Sequence, residues 1–296
     1  MRRARQHLVD RRRRDVHAVS LDPVIGDHAR SGRGTQLLLL HPFGTSRHVW
    51  DETLPVLAHH ADVFAPTLPG HAGGPALQSP ATAATMARQV AAMLDRLGWE
   101  RPHVVGNSIG GWIAFELARM GRASSVTAIA PAGGWVPWSR PVLTLGAGFL
   151  AVLPFVGIAG PLVPLATAHP RLRRLAMRPL VANGHLVERR RATRLLRTPG
   201  RASGLWSIVS GAASSPAITD LGAIPVPVQL VTCDRDIITP AHWFAGRFLD
   251  ELPDVRHVRL RDVGHVPMIE APHRVAVVIM EHVNRVMSSA GGPGDD

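Results

Sequence analysis

One short stretch constrains this chain more than any other. His103-Val104-Val105 leads into Gly106-Asn107-Ser108-Ile109-Gly110, and helical spacing (Ile113, Phe115, Leu117) follows at once. A strand that runs through Gly-x-Ser-x-Gly into a helix must turn sharply. The turn holds the serine in a strained backbone conformation with its hydroxyl presented outward. Gly106 and Gly110 suit such a turn because the strand and the helix pass too close there for side chains. The new helix aims its free N–H groups and positive dipole end at the space beside Ser108, where a developing oxyanion could be held. The pentapeptide alone is common in glycine-rich loops. Its position between a strand and a helix, and the residues far downstream, give it meaning.

Composition narrows the rest. The chain has 296 residues, 46% of them hydrophobic, enough for one large core with an insertion. Its single cysteine, Cys233, excludes an internal disulfide framework and a Cys-rich zinc site, and fits a reducing compartment. No His-Glu-x-x-His pattern appears, so neither a metal nor a cofactor is expected. The net charge is +11, and the chain has no lysine and no tyrosine. The positive charge gathers in an N-terminal tail (Arg2, Arg3, Arg5, Arg11 to Arg14) and between Arg171 and Arg201. Without a nucleic-acid-binding module or interleaved aromatics, that charge does not predict a nucleic-acid partner.

Taken in order, residues 1–15 are polar and arginine-rich and lack the apolar stretch of a secretory leader, so a disordered extension and a cytoplasmic protein are expected. Val16 to Ile25 reads as a strand and Gly32-Arg33-Gly34 as a turn. Leu37 to Leu40 is a continuous apolar run, as in a strand buried on both faces. Ala61 to Ala65 reads as the next strand. Thr82 to Leu97 has helical spacing (Met86, Val90, Met93, Leu94), with Gly98 as its stop. Ser125 to Ala130 is another strand, followed much later by Val226 to Thr232 and Val255 to Leu260. Ala241 to Leu252 and Pro272 to Met287 read as helices, with a loose tail from Ser288. Apolar strands alternating with helices predict an α/β fold: a mostly parallel, doubly wound sheet covered on both faces.

Strand patterning stops at Pro131 and resumes only at Val226. Pro141 to Ala168 carries no charge and is long enough to span a membrane, but Pro154, Pro161 and Pro164 interrupt it. Short apolar helices forming a lid are the expected alternative. Arg171 to Arg201 reads as amphipathic helix, with Leu172, Leu175, Leu180, Leu186, Leu195 and Leu196 among the arginines. The expected organisation is therefore an extension over 1–15, a sheet core over 16–133 and 216–288, an inserted helical cap over 134–215, and a flexible tail over 289–296.

Two further loops lie at strand ends, where ligand sites form in open parallel sheets. One is Cys233-Asp234-Arg235-Asp236-Ile237-Ile238-Thr239-Pro240, and the other is Asp262-Val263-Gly264-His265-Val266-Pro267. The order serine, acid, histidine is the one expected after a nucleophile elbow. With His41-Pro42-Phe43-Gly44 and Leu68-Pro69-Gly70-His71, these stretches resemble the α/β-hydrolase family, in its cap-bearing, esterase-like branch. The resemblance covers about Gln36 to Met287 apart from the lid. It implies Ser108 as nucleophile, His265 as general base and acid, and Asp236 as the residue that orients His265. It also implies an oxyanion hole of two backbone N–H groups, those of Ile109 and Phe43. Pro42 stands where the family usually has glycine and has no N–H to offer. Thr67 stands where many members carry aspartate. Asp234 is the rival acid. It lies nearer the strand and is expected to cap or to pair with Arg235, whereas Asp236 matches the family's Asp-x-x-x-Pro pattern.

The expected chemistry is hydrolysis of a carboxylic ester or similar acyl bond of a small, mainly apolar substrate through an acyl-enzyme. Two alternatives stand beside it. One is a carbon–carbon hydrolase acting on a ring-cleavage diketone. The other is a non-catalytic hydrolase-fold protein that binds an apolar ligand or partner, against which a complete triad speaks. Ser108 argues against dehalogenases and epoxide hydrolases that use an aspartate nucleophile. The basic helices are expected on the lid's outer face, where they could meet anionic lipid headgroups.

Overall fold

The computed structural model describes residues 23–215 and 217–290. The expected extension over 1–15, most of the expected strand from Val16, and residues 291–296 of the expected tail lie outside them. The described end of that strand, Pro23 to Ile25, forms a turn instead. The first strand is β1 (His28–Ser31), followed by β2 (Thr35–Leu40), β3 (Ala61–Pro66), helix α1 (Ala83–Leu97), β4 (His103–Asn107), helix α2 (Ile109–Arg119) and β5 (Ser125–Ile129). Five helices come next: α3 (Arg140–Val156), α4 (Val163–Ala168), α5 (Pro170–Met177), α6 (Arg189–Arg197) and α7 (Leu205–Ser214). The chain then returns to the sheet with β6 (Val228–Cys233) and β7 (Arg256–Leu260), and helix α8 (Pro272–Ala290) follows.

The seven strands form one sheet in the order β1-β3-β2-β4-β5-β6-β7. Only β1 runs antiparallel, pairing Ala29 with Ala65 of β3 at one edge. The α/β class, parallel sheet and double winding are thus as expected. Because side chains alternate across a strand, the Leu37–Leu40 run feeds both faces at once. Leu38 and Leu40 join Phe64, Val104 and the inner sides of α1 and α2. Leu37 and Leu39 join Val63, Val105, Val231 and the α8 residues Val275, Ile279 and Val283. Each such leucine contributes about 1.5–3 kcal/mol by leaving water. Every residue of β4, β5 and β6 is buried, which explains why their sequences show no polar alternation.

Helix α1 starts where Thr82 accepts a hydrogen bond from the Thr85 N–H at 3.2 Å, and ends at Gly98 with φ of 68°. The helix expected over Ala241 to Leu252 is two pieces, Ala241–Phe244 and Gly246–Glu251. Phe244 on the first piece and Phe248 on the second are both buried. The last helix continues through Ala290, beyond the expected end at Met287.

Among the described residues the segment between β5 and β6 contains no strand. It packs on the loops at the carboxyl ends of the strands. Phe149 lies edge-on to Phe43 at 5.3 Å, and the Gly204 N–H donates to the Gly70 carbonyl at 2.9 Å. The Val266 N–H donates to the Leu180 carbonyl at 2.8 Å. Glu270 ties the two parts more tightly still: its carboxylate accepts from the N–H groups of Gly264, Ala182 and Asn183 at 2.7–3.0 Å. The expected run of short helices over Pro141 to Ala168 begins instead with one 17-residue helix, α3, of which only Leu153 is buried. No single described helix is long and apolar enough to cross a membrane.

Candidate active site

Ser108 sits between β4 and α2 with φ 56° and ψ −116°. That left-handed conformation is costly for a non-glycine residue and persists only when its surroundings enforce it. Here the Ser108 N–H donates to the Ile129 carbonyl at 3.0 Å. Its own carbonyl accepts from Gly111, Trp112 and Ala132 at 2.9–3.2 Å. A side chain at Gly106 would collide with the backbone of Gly110, and one at Gly110 with the backbone at Leu40. Both glycines are therefore steric requirements of the elbow, as their spacing suggests.

Asp236 and His265 meet. His265 Nδ1 lies 2.7 Å from Asp236 Oδ2, and both residues are buried. The other carboxylate oxygen accepts from the N–H groups of Ile238 (2.7 Å) and Thr239 (3.0 Å), while the Thr239 hydroxyl donates to Oδ2 at 2.9 Å. Burial by itself would raise the Asp236 carboxyl. The charge of His265 and the hydrogen bonds from His265, Thr239 and Ile238 outweigh it and hold the group below the usual carboxylate range. An ionised acceptor on Nδ1 leaves Nε2 as the nitrogen free to exchange a proton.

Asp234 is engaged elsewhere. It pairs with Arg259 of β7, while Arg235 pairs with Asp262 at 3.3 Å. The expected Asp234–Arg235 pair is thus replaced by one with the neighbouring strand, because β6 and β7 run side by side, with Cys233 opposite Leu260.

Asn107 joins the serine and histidine loops. Its side-chain amide donates to the carbonyls of Ile129 and His265, both at 3.0 Å. Nothing in the linear sequence distinguishes this asparagine from any other residue ahead of an elbow serine. Thr239 was likewise visible only as a member of its motif, and Glu270 lies beyond the histidine motif as read from the sequence.

The remaining motif builds the loop after β2. His41 donates from Nδ1 to the Pro42 carbonyl at 2.9 Å and accepts at Nε2 from the Leu68 N–H at 2.8 Å, so it joins the β2 and β3 loops as a neutral ring. Burial, and the nearby His71, keep it far below the usual histidine range. Thr45 closes the turn by donating from its hydroxyl to the Pro42 carbonyl at 2.8 Å. Among the described residues neither the Phe43 N–H nor the Ile109 N–H donates to a protein acceptor. Near Thr67 a carboxylate arrives from another part of the chain. Asp27 accepts from Arg47 at 2.8 Å and from the Thr67 hydroxyl at 3.5 Å. Among the described residues no group of acidic, histidine or cysteine side chains is arranged to hold a metal.

Comparison with known proteins agrees with this architecture. The sequence pattern of the Alpha/beta hydrolase family matches residues 37–278. The chain is 38% identical over 203 residues to a Mycobacterium tuberculosis protein named epoxide hydrolase EphH, covering 68% of this chain and 95% of that one. It is 29% identical over 258 residues to a pimeloyl-[acyl-carrier protein] methyl ester esterase of Aromatoleum aromaticum, covering 83% and 97%. A thermophilic esterase from Thermogutta terrifontis has the same fold, with a TM-score of 0.72, 24% identity, and coverage of 89% and 94%. The chain belongs to the alpha/beta hydrolase family.

Proposed function

We propose that this hydrolase cleaves a carboxylic ester or similar acyl bond of a small, mainly apolar substrate, using Ser108, His265 and Asp236 as its triad. The observation that carries the proposal is the buried 2.7 Å bond between His265 Nδ1 and Asp236, with Ser108 on a strained elbow at the carboxyl end of β4 in the same sheet. In this reading Ser108 Oγ attacks the carbonyl carbon while His265 Nε2 takes its proton. Asp236 holds the ring's tautomer and stabilises the imidazolium. The N–H groups of Ile109 and Phe43 receive the oxyanion. Collapse expels the alcohol, protonated by His265. Water then repeats the sequence on the acyl-enzyme and releases the acid.

The segment between β5 and β6 serves as the cap, held over the strand ends by the contacts of Phe149, Gly204 and Leu180 with Phe43, Gly70 and Val266. Excluding water there strengthens the oxyanion hydrogen bonds.

One relative is named an epoxide hydrolase, so epoxide opening needs weighing. An aspartate nucleophile opens an epoxide to an ester, which water can hydrolyse at the carbonyl. A serine would leave an alkyl ether with no carbonyl to attack, and turnover would stop. Ser108 therefore favours acyl chemistry.

The test is a panel of p-nitrophenyl esters of graded chain length, run beside a terminal epoxide and a vinylogous diketone. Ester turnover with an initial burst is expected. Turnover of the epoxide or the diketone alone would replace the proposal.

A further inference from the structure

Hydropathy predicts that an apolar insertion will bury its face, yet much of this one stays in water. On α3 and the stretch after it, Leu150, Val152, Phe155, Ile158, Leu162 and Leu165 are 56–75% exposed. The two legs, Arg140–Val156 and Gly160–Ala168, meet at 81°, so these side chains cover a bent ridge. No charged residue occurs between 141 and 170, and Trp138, 79% exposed, stands just before the ridge. So many exposed large apolar side chains in one segment are unusual on a protein that meets only water.

The margins are strongly basic. Residues 134–215 hold eleven arginines and one acid, Glu188. Some of these arginines serve the fold: Arg191 pairs with Glu52 at 2.6 Å, and Arg173 donates to the carbonyls of Thr167 and His185. Arg171, Arg174 and Arg178 on and just after α5 are exposed and have no acidic partner among the described residues. Leu172 and Leu175, 46% and 67% exposed, lie between them.

We infer that this ridge is a docking surface for an anionic phospholipid bilayer. The apolar corner would enter the boundary between headgroups and acyl chains, with Arg171, Arg174 and Arg178 at headgroup level. An apolar band edged by unpaired cations is the pattern of interfacial helices. A second copy of the chain fits poorly, because a two-fold contact would set one arginine-rich margin against another. The inference rests on the surface alone and does not depend on the chemistry at Ser108.

Vesicle sedimentation of the full chain tests it, with phosphatidylcholine alone and with equal parts phosphatidylcholine and phosphatidylglycerol. Binding to the anionic vesicles should be at least about tenfold tighter and should weaken with salt. The triple variant Arg171→Gln, Arg174→Gln, Arg178→Gln should lose that preference. The triple variant Phe155→Ser, Ile158→Ser, Leu162→Ser should lose binding to both vesicles while its unfolding temperature stays close to that of the parent. No sedimentation with either vesicle would overturn the inference. So would unchanged binding by the serine variant, or a solution dimer that the serine variant dissolves.

Discussion

The sheet and the inserted helices are both rich in apolar residues, and they use them in opposite ways. Strands β4, β5 and β6 are buried along their whole length because helices cover both faces of the sheet. Helix α3 is no less apolar, but it has a partner on one side only, where Phe149 meets Phe43, and just one of its 17 residues is buried. Hydropathy records a side chain's preference. Whether that preference is met depends on what the topology places opposite it. In the sheet the same rigidity that fills the core sets three loops at the carboxyl ends of β4, β6 and β7. In the insertion the other side stays exposed to water.

If the sheet's strand ends carry the chemistry, the largest effects belong there. Ser108→Ala should lower the rate of ester hydrolysis at least about a thousandfold with the fold unchanged. Steady-state kinetics beside circular dichroism would check it. Asp236→Asn should cost on the order of a hundredfold or more, because His265 would lose its orienting acceptor, while Asp234→Asn, which breaks a pair with Arg259, should cost only a few-fold. A reversed ranking would move the acid to Asp234.

Stability gives the next contrast. Leu39→Ala removes a fully buried side chain from the sheet and should cost about 2–5 kcal/mol in denaturant unfolding. Leu165→Ala, at a residue 67% exposed on the inserted ridge, should change stability by less than about 0.5 kcal/mol. Comparable costs at both sites would mean that the ridge is covered within the folded chain.

A smaller effect concerns the loops where the two regions meet. Burial lowers the His71 imidazole from 6.5 to about 4, and its Nε2 has no hydrogen-bond partner among the described residues. A depressed value means that the unfolded chain takes up the proton first. The stability this neutral ring contributes is therefore complete above about pH 6.5 and is lost as pH falls towards about 4, by on the order of 3 kcal/mol. Thermal unfolding across that range should show a falling midpoint, with a shallower slope in His71→Asn. An unchanged slope would assign the acid sensitivity to other groups.

The parts legible in the sequence were those with local signals. Gly106 and Gly110 mark a close approach that any strand-to-helix elbow requires, and Leu37 to Leu40 can serve two faces only inside a covered sheet. Strand ends and the order serine, acid, histidine narrowed the candidates, but Asp236 was separated from Asp234 only by its resemblance to the family's Asp-x-x-x-Pro pattern. What stayed hidden depends on neighbours far apart in the chain. Arg259 takes Asp234 because β7 lies beside β6. Asp27 brings a carboxylate to Thr67 from ahead of β1. Asn107 reaches the His265 carbonyl across 158 positions. Strand β1 is placed by its pairing with β3, which no pattern within residues 16–31 reveals. The exposure of α3 was hidden for the same reason, since nothing in an apolar run states which of its sides will find a partner.

In the proposed triad Ser108 is an activated nucleophile. Labelling the folded protein with a fluorophosphonate probe and mapping the adduct by mass spectrometry tests this most directly. A single adduct on Ser108 is expected, absent in Ser108→Ala and slowed in Asp236→Asn. An adduct on another residue, or no adduct on an intact, folded chain, would contradict it.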